Sequence, residues 1–243
     1  MTTPTPARPR RLQDRLALVT GASRGIGRAV AVRFAQEGAR LILVARTQGA
    51  LEETDDLVRQ AGGEATLVVL DLADHEKIDQ MAAAIAERFG HLDVLVGNAA
   101  ILGALSPMSH TEPKDFERVM RINVGANFRL IRAFDAMLRL SPSGRAMFVT
   151  SSAGDGRHPY WGAYATSKGA LDTMVKTWAG ELAKTNLRVN LIDPGATRTR
   201  MRGDAFPAEN PDTLKAPEAV TEVFVELAEE ACTRHGETVA VPR

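Results

Sequence analysis

"LALVTGASRGIGRAVAVRFAQEG", residues 16–38, decides the fold. Its first five residues form an apolar run of strand length. Residues 27–38 instead put Val30, Phe34 and Ala35 on one helical face, and Gly38 can stop that helix. Between them stand Gly21, Gly25 and Gly27, spaced G-x3-G-x-G. This differs from the G-x-G-x-x-G dinucleotide fingerprint, but the mechanics are shared. Glycine permits a tight turn and a close approach of backbone to a pyrophosphate, and the helix N-terminus supplies free N–H donors. The candidate contacts are Gly21, Ser23, Arg24, Gly25, Ile26 and Gly27. The competing reading is a glycine-rich strand-to-helix turn without a ligand. No G-K-[ST] follows, which disfavours a nucleoside triphosphatase.

The same alternation continues along the chain. Strand-like runs recur at 41–45, 65–72, 92–99, 145–152, 187–195 and 237–241. Helical stretches run to about Ala61, over 75–90, near 112–120 and 124–140, and over 162–184 and 217–231. Several strands are apolar nearly throughout, as in parallel sheets covered on both faces. The pattern predicts an α/β fold: a single doubly wound Rossmann domain over residues 12–243, with a mostly parallel seven-stranded sheet. Function then belongs to the loops at the carboxyl ends of the strands.

Bulk properties exclude several classes. The 30 basic and 30 acidic residues cancel, which argues against a nucleic-acid or anionic-membrane binder. Cys232 is the only cysteine, so no intrachain disulfide can form, and a cytoplasmic location is expected. The five histidines are scattered without metal-ligand spacing, so no metal is expected. No apolar run approaches the roughly 18 residues of a membrane span. Residues 1–11, MTTPTPARPRR, read as a disordered arm, with an anion-binding or organelle-targeting tail as the alternative.

The end of the second strand selects the dinucleotide. An acidic residue there would hold the ribose 2′-hydroxyl of NAD. This chain has Ala45 and then Arg46, with Arg24 in the glycine loop. Two guanidinium groups could clamp a 2′-phosphate, so NADP(H) is expected and NAD(H) disfavoured. Either arginine alone also reads as a solvated surface charge.

"YATSK", residues 164–168, puts a phenol and an ammonium one helical turn apart. The pair alone is a weak motif; the bland reading is a surface aromatic beside a surface lysine. With the glycine loop, "NVG" at 123–125 and "SSAG" at 151–154, the sequence strongly resembles the short-chain dehydrogenase/reductase family over about residues 12–200. The resemblance takes in Asp71, Asn98, Ala99, Asn123, Ser151, Tyr164, Lys168, Pro194, Gly195 and Thr199. It implies an oxidoreductase that moves hydride between a nicotinamide and a carbonyl or secondary alcohol, with Tyr164 as the acid/base. A free phenol titrates near 10, and the Lys168 ammonium with the nicotinamide charge would lower that value. Ser151 would polarise the substrate oxygen, with Ser152 as the neighbouring alternative. Lys168 would also bind the nicotinamide ribose. Asn123 would order a water chain; its other reading is a helix cap. Asp71, with Leu72 beside it, would take the adenine, or else Asp71 caps the next turn. Asn98 and Ala99 would brace the cofactor side, Pro194, Gly195 and Thr197 would line it, and Thr199 would hold the carboxamide or cap a helix.

The chain departs from the family pattern in three places. The usual Asn-Asn-Ala-Gly reads Gly97-Asn98-Ala99-Ala100. A short "RMRGDAFPAENPD" replaces a longer substrate lid, which suggests an open site. The common Asp-Gly-Gly near the C-terminus is absent. Tyr160 and Trp161 are candidates to wall an apolar pocket with Ile101, Leu102, Met201 and Phe206, or else to pack against another subunit or within their own loop. His158 reads as a surface residue. The expected partner is a small-molecule carbonyl or alcohol of unspecified identity. The helix over 162–184 carries Leu171, Met174, Val175, Trp178, Ala179 and Leu182, more apolar surface than one sheet face needs, and the resemblance implies that it pairs with its copy and with the helix over 124–140; both predict a homodimer or homotetramer with two-fold symmetry. The alternative function is a catalytically silent NADP(H)-binding regulatory protein of the same fold.

Overall fold

The computed structural model describes residues 10–242. The first unit is β1 (Leu16–Thr20), the glycine loop and α1 (Gly25–Gln36). Then follow β2 (Arg40–Ala45), α2 (Gln48–Gln60), β3 (Glu64–Val69), α3 (His75–Phe89) and β4 (Val94–Gly97). Next come α4 (Pro113–Met120), α5 (Ala126–Leu140), β5 (Arg145–Val149), α6 (Gly162–Glu181) and β6 (Arg188–Asp193). The chain closes with α7 (Arg200–Ala205), α8 (Thr221–Ala228) and β7 (Thr238–Ala240).

The seven strands form one sheet in the order β3-β2-β1-β4-β5-β6-β7. Every neighbouring pair is parallel. The strand order reverses between β1 and β4, which opens a crevice at their carboxyl ends. Successive residues of each strand face opposite sides, so two cores form. Leu16 and Leu18 join the helices α3, α5 and α6 through Ile78, Phe134, Val175 and Trp178. Ala17 and Val19 join α1, α2 and α8 through Phe34, Val58 and Phe224.

Several boundaries differ from the sequence expectation. Strands β3, β4, β5 and β6 stop two or three residues short of their expected carboxyl ends. The excluded residues include Leu72, Asn98, Ser151 and Pro194, whose backbone leaves the ladder to build the site. The two helices expected near 112–120 and 124–140 are joined through a π-turn, Arg121–Gly125, where the Ala126 N–H reaches back to the Arg121 carbonyl. Such turns recur at functional sites, and this one carries Asn123.

The arm expected over 1–11 falls largely outside the described residues. Arg11, however, belongs to the fold. Its backbone N–H donates to Glu37 at 3.2 Å, and its guanidinium pairs with Glu222 and Glu229 on and after α8. The surplus apolar face of α6 is also absent. Leu171, Val175, Trp178, Ala179 and Leu182 are all buried within one subunit, and Met174 packs partly buried against them. Trp178 stands edge-on to Phe148 and donates to Asp135 at 3.0 Å. No helix among the described residues is long and apolar enough to cross a membrane.

Candidate active site

The glycine loop sits beside the end of β2 because the Ala22 N–H donates to the Val44 carbonyl at 3.3 Å. The Ala22 and Ser23 carbonyls are taken by Thr54 Oγ1 (3.0 Å) and the Arg28 guanidinium (2.6 Å). A Cβ at Gly27 would meet the Gly21 carbonyl oxygen at 2.3 Å, so only glycine lets the loop close this tightly. Gly25, at φ +56°, faces the Thr199 methyl across the crevice. The side chain of Arg24 makes no capping bond at the start of α1, and the first turn has no acidic residue. The first N–H groups of α1 are therefore open to an anion, and a pyrophosphate fits this cradle.

Thr20 fixes the far wall of the crevice. Its Oγ1 accepts from the Asn98 and Ala99 N–H groups at 2.9 and 3.1 Å, and Asn98 Nδ2 donates to the Thr20 carbonyl at 2.9 Å. Asn98 thus braces β4 against β1. Ala45 is buried at the end of β2, while Arg46 and Arg24 are exposed. Neither arginine has a carboxylate partner among the described residues, whereas many of the chain's other arginines do. Asp71 is exposed and turns one oxygen to the Ala73 N–H at 2.9 Å, which realises its turn-capping reading, and Leu72 is buried behind it. Thr199 likewise caps α7 by accepting from the Arg202 N–H at 3.2 Å. Thr197 is buried and bonds the Gly195 carbonyl at 3.2 Å, so the turn after Pro194 is held from within.

Tyr164, Ser167 and Lys168 lie on the buried face of α6. Gly154 lets the turn after β5 approach this helix: a Cβ there would lie 3.0 Å from the Gly169 nitrogen. That approach sets Ser151 beside the Tyr164 phenol, where it favours the ionised form, while its Oγ accepts from the Ala153 N–H at 3.2 Å. Ser152 is exposed, so Ser151 is the serine at the phenol. Lys168 Nζ lies 5.5 Å from the Tyr164 ring centroid and donates to the Val149 carbonyl at 2.7 Å. Asn123 is fully buried. Its amide exchanges two 2.9 Å bonds with the Ile101 backbone and donates to Ser167 Oγ at 3.0 Å. Ser167 Oγ in turn donates to the Tyr164 carbonyl at 2.7 Å. Asn123 is therefore not a helix cap.

Burial dominates the electrostatics. It pushes the Tyr164 phenol up to about 12, with the Asp193 charge adding to the rise and the Ser151 bond opposing it. It pushes the Lys168 ammonium down to about 8, against the charges of Asp172 and Asp193. In the chain alone burial governs the phenol; the lowering expected above joins Lys168 to the charge of a bound nicotinamide. At neutral pH the phenol keeps its proton.

On the substrate side, Trp161 stands edge-on to Tyr164 with centroids 5.7 Å apart, and Phe206 lies 5.6 Å from Trp161. Tyr160 does not join them. Its side chain is 63% exposed, and its backbone, at φ +72°, accepts from the Ser106 N–H at 3.0 Å. Ile101 lines an adjoining cleft of about 270 Å³ with Gly103, Ala104, Asp115, Arg118 and Val119. Leu102 and Met201 are half-buried. His158 is on the surface, as expected. Phe206 of the short lid packs against Trp161 and is itself 37% exposed. Sequence reasoning missed Thr20, Ser167 and Asp172. Ser167 and Asp172 were detectable, three and eight residues along the Tyr164 face of one helix. Among the described residues no cluster of three or more His, Cys, Asp or Glu could hold a metal.

The family model described as short chain dehydrogenase matches residues 15–210. The oxidoreductase YciK of Escherichia coli K12 is 40% identical over 219 residues, covering 89% of this chain and 86% of its own. The 3-oxoacyl-[acyl-carrier-protein] reductase FabG of Thermotoga maritima is 32% identical over 231 residues, covering 90% and 92%. An Escherichia coli short chain dehydrogenase solved in complex with NADPH superposes with a TM-score of 0.92 at 38% identity, covering 96% of this chain and 98% of that one. The chain belongs to the short-chain dehydrogenase/reductase family of oxidoreductases.

Proposed function

We propose that the protein is an NADPH-dependent carbonyl reductase in which Tyr164 donates the proton. The observation that carries this reading is a buried phenol set beside Ser151 with Lys168 one helical turn away, its Nζ 5.5 Å from the ring centroid. A phenol in that position could give its proton to a carbonyl oxygen, helped by any nearby charge that stabilises the phenolate left behind. NADPH, when bound, supplies the hydride. Ser151 would share the substrate oxygen with Tyr164 and polarise the carbonyl. Lys168 would stabilise the phenolate left after proton donation, and Asn123 and Ser167 would keep that face of α6 in register for the proton's return. The pyrophosphate would rest on the glycine loop and the start of α1. Arg24 and Arg46 would hold a 2′-phosphate, supported by their exposure and by the absence of an acid at Ala45. The NADPH-bound relative supports the same choice.

The test is NADPH consumption with a panel of carbonyls by wild type and Tyr164→Phe. Wild type should turn over, and Tyr164→Phe should lose nearly all activity while keeping its fold and its affinity for NADPH. If the variant keeps a tenth of the rate, the acid is another group. Tight NADPH binding without turnover of any carbonyl would instead favour a regulatory dinucleotide binder. Homo-oligomer formation is also proposed, now supported by Phe128 and Leu140, exposed on α5, rather than by α6.

A further inference from the structure

Among the described residues seven large apolar side chains are exposed; of these Phe206 meets the Trp161 ring, while Tyr160 precedes Trp161 in the chain and Met108 stands beside Gly162, which follows it. The Met108 sulfur lies over Gly162, so near that a Cβ there would meet it at 2.7 Å. An apolar patch of this kind at the mouth of a site marks a surface that takes an apolar ligand.

Phe206 is held on several sides. Its N–H donates to the Arg202 carbonyl at 2.9 Å, and its carbonyl accepts from the Glu209 N–H at 3.1 Å. The Arg202 guanidinium carbon lies 3.8 Å from the ring centroid, a close cation–π contact. Both guanidinium bonds to Glu209 measure 2.6 Å, a bidentate pair that fixes the plane of the group. Thr199 caps the helix that carries Arg202. The ring is thus oriented in advance, and a flat ligand would spend little free energy ordering it. Of the lid arginines only Arg202 is closely paired, with Glu209; Arg198 and Arg200 stand exposed 3.5 and 3.9 Å from Asp212 and Asp204.

We propose that Trp161 and Phe206, packed together and set by the Arg202–Glu209 pair, form an aromatic platform beside Tyr164 that selects flat, aryl-bearing carbonyl compounds over open-chain ones. This rests on the carbonyl-reductase reading above. Arg202 and Glu209 are positioning residues; Trp161 and Phe206 touch the substrate. The stacked and edge contacts available to an aryl ring are closed to an alkyl chain of similar size.

The test compares acetylnaphthalene with a straight-chain methyl ketone of nine carbons. Wild type should prefer the aryl ketone by about tenfold or more in kcat/KM. Glu209→Gln and Arg202→Met should cut that preference by about tenfold through KM, with kcat for the aryl ketone nearly unchanged. Phe206→Leu should abolish it. A wild-type ratio near one, or an equal loss for both ketones in the variants, overturns the platform. Equilibrium dialysis of both ketones against each protein separates this from the activity itself. If no carbonyl is turned over, the reductase reading falls, and dialysis still decides the platform. Tighter binding of the aryl ketone that Phe206→Leu removes supports it, and equal binding refutes it.

Discussion

Replacing Lys168 with methionine should erase a pH dependence that burial writes into the stability of the folded chain. Burial takes this amine from 10.5 to about 8, so folding favours its neutral form. Below pH 8 both folded and unfolded chains hold the proton, and the native state carries the whole cost of a buried charge. That cost is on the order of 3 kcal/mol. Between 8 and 10.5 the unfolded chain binds a proton that the native chain has released, so stability rises with pH. About 2 kcal/mol of the rise should fall between about pH 7 and 9.5. Tyr164 works in the opposite direction. Its pKa is raised from 10 to about 12, so its contribution is full below 10 and is lost as pH climbs toward 12. Stopping the series near pH 9.5 keeps the two apart. Methionine preserves the length of the stem but leaves the Val149 carbonyl without its donor, a loss of about 1–3 kcal/mol that does not vary with pH. Urea denaturation of both proteins across this range reads the difference. Wild type should gain about 2 kcal/mol relative to the variant on moving from about pH 7 to 9.5. Parallel profiles would refute the assignment of a buried, depressed ammonium.

Cofactor choice and assembly give two more tests. Wild type should use NADPH at least tenfold better than NADH in kcat/KM, since each guanidinium–phosphate bond contributes about 1.5–3 kcal/mol. Ala45→Asp with Arg46→Ala should reverse that preference by setting a carboxylate against the 2′-phosphate; a wild-type ratio near one would remove both arginines from the reading. In light scattering the protein should run larger than one chain, and Phe128→Asp should bring it down to a monomer; a monomeric wild type ends the assembly proposal.

The fold was legible because its signals are local and repeated. Apolar strands alternating with amphipathic helices leave few options besides a doubly wound sheet, and the glycine loop marks where its first crossover begins. The core of the site was legible for the same reason: Tyr164 and Lys168 share a helix face by spacing alone. What the sequence could not carry was the balance of competing terms. Spacing says that an ammonium stands near a phenol. It does not say that both are buried, nor that in the chain alone burial raises the phenol and lowers the ammonium. The surplus on α6 failed similarly, because counting apolar residues along one helix cannot show how far α5 and the sheet already cover them. The order of the lid was not legible because it comes from contacts with no sequence period. Arg202 and Glu209 are seven residues apart, and the Phe206 between them finds Trp161 from a different loop. The π-turn at Arg121–Gly125 belongs to the same class. His75, from the start of α3, takes the Arg121 carbonyl at 3.0 Å, and Arg121 Nε reaches the Ala73 carbonyl at 2.6 Å. A helical repeat read along one segment cannot foresee a turn widened by partners some fifty residues away, yet that turn carries Asn123, whose amide holds Ile101 and Ser167 in place beneath Tyr164.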